Sequence, residues 1–103
     1  MKSILISCKL SETKSGKVYS IEKNWYDFFK KMNMNLVPVN IDNFSKNMIS
    51  TFKPQGIIIP GGNDLFKINK KKTNLIRDKF EYKLLKYSIQ KKIPIVGVCK
   101  GFK

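Results

Sequence analysis

Histidine is absent from this chain of 103 residues. Because histidine is the usual proton acceptor near neutral pH, these residues cannot complete a histidine-based catalytic relay by themselves. Only two cysteines occur, Cys8 and Cys99, which are too few for a metal cluster. No apolar run approaches the roughly 18 residues of a membrane span, and the N-terminal run is too short for a signal-peptide core. We therefore expect a cytoplasmic protein without a disulfide and without a membrane segment.

Acidic residues are also scarce. Seven Asp and Glu stand against 21 Lys and Arg, for a formal net charge of +14. Such a charge is typical of proteins that bind nucleic acid or anionic surfaces. However, Arg77 is the single arginine, which leaves 20 lysines spread along the chain. Proteins that read bases favour the forked donors of arginine, so nucleic acid remains the least favoured of the partners considered.

Apolar and β-branched runs predict four strands. The runs lie at residues 2–8, 36–40, 55–60 and 93–98. The third and fourth runs lack polar alternation, which indicates strands buried on both faces. Pro38 places the second strand at a sheet edge, because proline cannot donate a ladder hydrogen bond. Residues 9–19 are polar and are interpreted as a loop, and residues 65–73 as a polar connection.

Three stretches have helical periodicity. The first runs from Ser20, as N-cap, to about Met34, a weaker one covers residues 43–52, and a third covers residues 74–91. The predicted buried stripes are Ile21, Trp25, Phe28, Phe29 and Met32 in the first, and Ile76, Phe80, Leu84, Tyr87 and Ile89 in the third. The order β-α-β-α-β-α-β predicts an α/β fold with a doubly wound, mostly parallel sheet, a flavodoxin-like three-layer sandwich.

The sequence Gly97-Val98-Cys99-Lys100-Gly101 follows the last predicted strand. Glycines two residues before and after a cysteine suit a nucleophile elbow, because a Cβ at either position would crowd a sharp strand-to-helix turn. A helix beginning near Lys100 would favour a thiolate at Cys99. The alternative is a buried structural cysteine at a strand end.

A second motif, Pro60-Gly61-Gly62-Asn63-Asp64, follows the third predicted strand. In a parallel sheet the carboxyl ends of strands share an edge, where ligands bind. Attack by a thiolate on a carbonyl creates an oxyanion, and Gly61, Gly62 and the N–H of Lys100 could donate hydrogen bonds to it. The alternative for the two glycines is a tight turn.

These two motifs, together with Arg77-Asp78-Lys79-Phe80-Glu81 between them, resemble the class I glutamine amidotransferase superfamily. The closest likeness is to its γ-glutamyl hydrolase branch, with the patterns PGG-x-D, R-D-x-x-E and P-x-x-G-x-C-[RK]-G-x-Q. The resemblance implies a Cys-His-Glu triad that acts on a small γ-glutamyl amide without a cofactor. By position, it makes Cys99 the nucleophile and Gly61, Gly62 and Lys100 the oxyanion donors.

The chain departs from that pattern in two ways. Lys103 stands where the family has a glutamine that shapes the glutamyl pocket. The family's histidine and glutamate lie far downstream of the cysteine. We therefore expect residues 1–103 to be the N-terminal part of one such domain, with a sheet incomplete at its C-terminus. Apolar surface would then be exposed on the strands at 57–59 and 93–98, and this part alone would be inactive.

Two further expectations concern single residues or pairs, and a third concerns the function as a whole. Arg77 and Glu81 are four residues apart on a predicted helix. They form either a solvated ion pair or a pair that braces the elbow. Cys8 is interpreted as a small buried residue rather than a reactive thiol. The main functional hypothesis leaves open a synthetase partner or a fused domain, and its rivals are a non-catalytic α/β binding module and a nucleic-acid-binding domain.

Overall fold

A computed structural model describes residues 2–60 and 72–98 of the chain. Within these ranges it contains six strands and three helices. In chain order they are β1 (Lys2–Ser7), β2 (Lys9–Thr13), β3 (Gly16–Ser20), α1 (Lys23–Lys31), β4 (Met34–Val39), α2 (Lys46–Phe52), β5 (Gly56–Pro60), α3 (Lys72–Lys91) and β6 (Ile95–Val98). The order of the predicted helices and main strands is confirmed.

Four strands form a central sheet in the order β4-β1-β5-β6. Every neighbouring pair in it is parallel, with Leu5 opposite both Val37 and Ile57. β4 lies at one edge, as Pro38 predicted. The predicted α/β fold with a mostly parallel sheet and crossover helices is therefore confirmed.

One face of this sheet carries the main core. Leu5 and Leu84 are fully buried there, because α2 and α3 cover this face. The buried members are Leu5, Val39, Ile49, Ile57, Phe80 and Leu84. Side chains alternate between the faces of a strand, so Ile4 and Ile6 point to the other face. The right-handed rule for parallel crossovers predicts α1 on that second face, and α1 contacts β4.

The two last sheet strands differ in burial. On β5, Ile57 is 1% and Ile59 6% exposed, so the expectation of exposed apolar surface there is wrong. On β6, Val96 is 52% exposed, so the expectation of exposed apolar surface is confirmed for this strand. The prediction that β6 is buried on both faces is correspondingly wrong. The reason is position: β5 lies between two strands, whereas β6 has one neighbour within the described sheet.

Residues 9–20 form a hairpin instead of the predicted loop. β2 and β3 pair antiparallel from Lys9 opposite Ser20 to Thr13 opposite Gly16. Gly16 adopts a φ of +127°, which other residues rarely reach, and the Thr13 hydroxyl donates to the Gly16 carbonyl at 2.8 Å. Leu10 is the one large apolar side chain of this hairpin that is buried. A single buried position gives no alternating pattern, so the hairpin was missed.

The helices are placed correctly, but their buried faces are narrower than predicted. α1 begins after Glu22 rather than Ser20, and it buries Phe29 while Phe28 is 55% and Met32 54% exposed. On α3, Phe80 and Leu84 are buried but Ile89 is 71% exposed. A helix on a flat sheet buries a narrow stripe, so the flanking apolar residues stay in solvent. In the part of the chain that the structure describes, no helix has the length and apolar character to cross a membrane.

Candidate functional site

β5 and β6 end side by side at one edge of the sheet. Pro60, the last residue of β5, is opposite Val98, the last residue of β6. In the sequence, the glycine motif follows Pro60 directly and the cysteine motif follows Val98 directly. The predicted site residues themselves, Gly61, Gly62, Cys99 and Lys100, lie outside the described residues, as does Lys103. The structure therefore describes the residues that surround this edge, and not the predicted site residues themselves.

A buried ion pair on α3 lies next to these strand ends. The Nε of Arg77 is 2.8 Å from the Oε2 of Glu81, and the side chains are 4% and 16% exposed. The interpretation of this pair as solvated is therefore wrong. Arg77 belongs to the buried stripe of α3, three residues before Phe80 and seven before Leu84, so helical geometry directs it at the sheet.

Both members of the pair also bond to the ends of strands. The Nη2 of Arg77 donates to the carbonyl oxygen of Pro60 at 2.7 Å, a buried hydrogen bond. The Oγ of Ser7, the last residue of β1, donates to Oε2 of Glu81 at 3.1 Å. Two helix residues thus connect the carboxyl ends of β1 and β5. Sequence analysis did not find Ser7 or Pro60 as partners, because pairings this distant in sequence leave no local signal.

Two effects oppose each other on the Glu81 carboxylate. Burial raises the pKa of Glu81 above its ordinary value of 4.5. The charge of Arg77 and the hydrogen bonds from Arg77 and Ser7 lower this pKa, and burial is the larger effect. The carboxylate is therefore easier to protonate than one in water, although it has a cationic partner.

Cys8 lies near this cluster but is sealed from solvent. It is 6% exposed and free, and its backbone N–H donates to Val39 at the end of β4. Burial raises the pKa of its thiol, which a hydrogen bond with Asn40 and the charge of Arg77 only partly offset. The cavity beside it measures about 10 Å³, which is too small for a ligand. The interpretation of Cys8 as a small buried residue fits these observations.

A side-chain hydrogen bond holds the β2–β3 hairpin in position. The hydroxyl of Tyr19 donates to Oδ2 of Asp42 at 2.8 Å, which ties β3 to the turn after β4. Burial and then Asp42, through its hydrogen bond and its charge, raise the pKa of Tyr19 to about 12. At neutral pH this hydroxyl stays protonated and can donate to Asp42.

Comparison with known families settles the membership of the chain. The family model of Peptidase C26 matches residues 4–103, nearly the whole sequence. The chain belongs to the Peptidase C26 family. This family is class I glutamine amidotransferase-like and hydrolyses its substrates with a cysteine. No curated protein and no solved structure matches the chain.

Two surfaces, at the amino ends and at the carboxyl ends of the sheet strands, are candidates for the functional site of this Peptidase C26 protein. A cleft of about 870 Å³ opens at the amino ends of the sheet strands, next to Lys2, Asn33, Phe52 and Lys53. It is lined by no cysteine and no carboxylate among the described residues, so it lacks the group that a cysteine-dependent hydrolase requires. The carboxyl edge, where β5 and β6 end together, is the candidate functional site.

Proposed function

We propose that the chain carries the nucleophile-bearing part of an enzyme that hydrolyses or transfers a γ-glutamyl amide. The observation that carries this proposal is the pairing of Pro60 with Val98 at the ends of β5 and β6. In the sequence, the two motifs that the resemblance to the family connects follow directly after these adjacent positions. The γ-glutamyl specificity rests on the resemblance of the motifs and is part of the proposal.

In the proposed reaction, the Cys99 thiolate attacks the γ-carbonyl carbon and forms a C–S bond. The oxyanion accepts hydrogen bonds from the N–H groups of Gly61, Gly62 and Lys100. The C–N bond then breaks, and the amine leaves with a proton. Water hydrolyses the resulting thioester, which releases the γ-carboxylate and restores the thiol. In this proposal the proton acceptor is a histidine, a residue type that these 103 residues do not contain.

The second cysteine supports the choice of nucleophile. Burial raises the pKa of Cys8, and the cavity of about 10 Å³ beside it admits no substrate. A nucleophilic cysteine instead needs a lowered pKa and access to solvent. Of the two cysteines in the chain, Cys99 is therefore the one assigned to the chemistry.

The proposal is tested with γ-glutamyl p-nitroanilide, which releases a coloured amine on hydrolysis. We expect no release from the 103-residue chain, and release from a form extended into the downstream reading frame. Cys99→Ala should abolish release from the extended form, whereas the matched variant Cys8→Ala should retain it.

Three outcomes would each contradict part of the proposal. Hydrolysis by the 103-residue chain that depends on Cys99 would show that no downstream base is needed. Release that survives Cys99→Ala in the extended form would remove Cys99 as the nucleophile. If the extended form is folded and releases nothing, the chain is better described as a non-catalytic α/β module.

Partners and location are also proposals. A small γ-glutamyl compound is the proposed ligand, and the cytoplasm the proposed compartment. If the reaction is a transfer, a synthetase partner or a fused domain receives the ammonia. The nucleic-acid alternative predicts retention on heparin that falls steeply with salt, and the absence of retention at low salt would remove it.

A further inference from the structure

We infer that Arg77 is a positioning residue of the proposed site, because it fixes the carbonyl group at the carboxyl end of β5. Its Nη2 donates to the Pro60 oxygen at 2.7 Å while its Nε pairs with Glu81 at 2.8 Å. The inference rests on the proposed function only where it concerns catalysis. The claim about the strand end rests on these described contacts.

Within residues 2–60 and 72–98, the end of β5 has no strand partner on the side of β1. The pairing of β1 with β5 runs from Ile4 opposite Gly56 to Ile6 opposite Ile58, two residues before Pro60. The sheet ladder on that side therefore stops before the strand does. Arg77 provides the Pro60 carbonyl with a charged donor in a place where no strand supplies one, and hydrogen bonds from charged donors are the stronger kind.

The bond to the Pro60 oxygen also constrains the peptide group that follows the strand. In a trans peptide, the C=O of one residue and the N–H of the next lie in one plane and point in opposite directions. The bond from Arg77 therefore fixes the direction of the Pro60 oxygen, toward α3. A cationic donor on the C=O also polarises the peptide group, which strengthens that N–H as a donor.

The chemistry of the side chain explains why this position is the one arginine among 21 basic residues. A guanidinium presents donors in two directions at fixed angles, so it can bond to Glu81 and Pro60 together. Ser7 holds Glu81 from the end of β1 at 3.1 Å. A lysine offers one rotatable ammonium and cannot reproduce this fork.

The strand-end claim is tested on the 103-residue chain by NMR, which needs no activity. The carbonyl ¹³C resonance of Pro60 reports the hydrogen bond to its oxygen. We expect Arg77→Lys and Arg77→Gln to move this resonance upfield, and Ser7→Ala to move it less. The amides of Leu5 and Ile57 serve as a check on the core, and exposed Lys79 on the same helix supplies the control Lys79→Gln.

If the Pro60 resonance is unchanged in the Arg77 variants while the core amides keep their positions, the inference is overturned. If the Arg77 variants fail to fold, Ser7→Ala decides: a small upfield shift supports the inference, and no shift overturns it.

The catalytic claim is tested in the extended form. We expect Arg77→Lys to lower kcat by about 10²-fold with little change in KM, because small displacements of catalytic groups have effects of this size. Lys79→Gln should leave both constants unchanged. A folded Arg77→Lys variant with unchanged kcat would overturn the positioning role. If the unmodified extended form shows no activity, the proposed function fails, while the NMR result still decides the claim about the strand end.

Discussion

Two ion pairs in this protein have the same helical spacing and opposite surroundings. On α1, Lys23 and Asp27 are 2.9 Å apart, with side chains 85% and 49% exposed. On α3, Arg77 and Glu81 are 2.8 Å apart, with side chains 4% and 16% exposed. Each pair joins residues i and i+4. Spacing and distance do not distinguish them, so the difference lies in solvent and in further partners.

The difference teaches that burial, not pairing, decides what an ion pair does. An exposed pair is screened by water and contributes little to stability. A buried pair is expensive to desolvate, so removing one partner leaves an uncompensated charge. Only the buried pair also bonds to strand ends, through Ser7 and Pro60. We therefore expect the variants below to separate the two pairs, beginning with the largest effect.

Removal of the Glu81 carboxylate should have the largest effect. Glu81→Ala removes the carboxylate that pairs with the buried Arg77 cation, and we expect the free energy of unfolding to fall by about 3 kcal/mol. Urea unfolding followed by circular dichroism at neutral pH measures this loss. Asp27→Ala is the matched change in the exposed pair, and a loss of similar size in both variants would contradict the comparison.

Loss of the Ser7 hydroxyl should have an intermediate effect. Ser7→Ala removes a hydrogen bond to a charged group, and we expect a loss of about 1.5 kcal/mol. The double variant with Glu81→Ala should lose less than the sum of the two single changes, because both act on one cluster. Strict additivity in urea unfolding would show that Ser7 and Glu81 do not stabilise each other.

The pH dependence of stability should also mark the buried pair. Burial raises the pKa of Glu81 above 4.5, so the folded state binds this proton more tightly than the unfolded state. The resulting contribution to stability is complete below pH 4.5 and is lost as the pH rises through the raised pKa. Glutamine does not ionise, so the Glu81→Gln variant should not lose this stability as the pH rises. We expect its free energy of unfolding, relative to the unmodified chain, to increase with pH over this window.

Unfolding midpoints measured in steps from about pH 4 to pH 7 give this comparison. Asp27→Asn, in the exposed pair, is measured over the same pH range as the matched variant. A constant difference between Glu81→Gln and the unmodified chain would mean that Glu81 titrates alike in the folded and unfolded states.

The exposed pair should give the smallest effect. For Asp27→Asn we expect a loss of about 0.3–0.5 kcal/mol at low ionic strength, the usual range for an exposed pair of this spacing. At about 1 M salt the Debye length falls to roughly 3 Å, and the loss should disappear. The loss in Glu81→Ala should persist at the same salt concentration. A salt-sensitive effect at Glu81 would place that pair in solvent.

The sequence was a good guide to the elements that carry strong apolar patterns. The runs around Ile4, Ile57 and Ile95 became neighbouring parallel strands, and Pro38 correctly marked an edge. The spacing of Arg77 and Glu81 correctly predicted an ion pair. In each case the physical cause is local, because a side chain's period or a proline's missing donor acts within a few residues.

The features that were missed depend on partners distant in the chain. Arg77 occupies the buried stripe of α3, where hydropathy places only apolar residues. In this position Arg77 bonds to Glu81 and to Pro60. Ser7, which lies 74 residues from Glu81 in the sequence, donates to the Glu81 carboxylate. The hairpin at residues 9–20 was missed for a related reason, since its one large buried apolar side chain, Leu10, packs on another element.

The strand order β4-β1-β5-β6 has a consequence for synthesis of the chain. β1 precedes its partners in the chain, because Lys2 pairs with Met34 and Ile4 with Gly56, which are 32 and 52 residues later. Both sides of β1 therefore lack partners until residues 39 and 60 have been made. Distant pairings of this kind form slowly, and an apolar strand awaiting them is prone to associate with other chains. Among the four strands of the described sheet, β1 is thus the one whose pairing depends most on residues made after it.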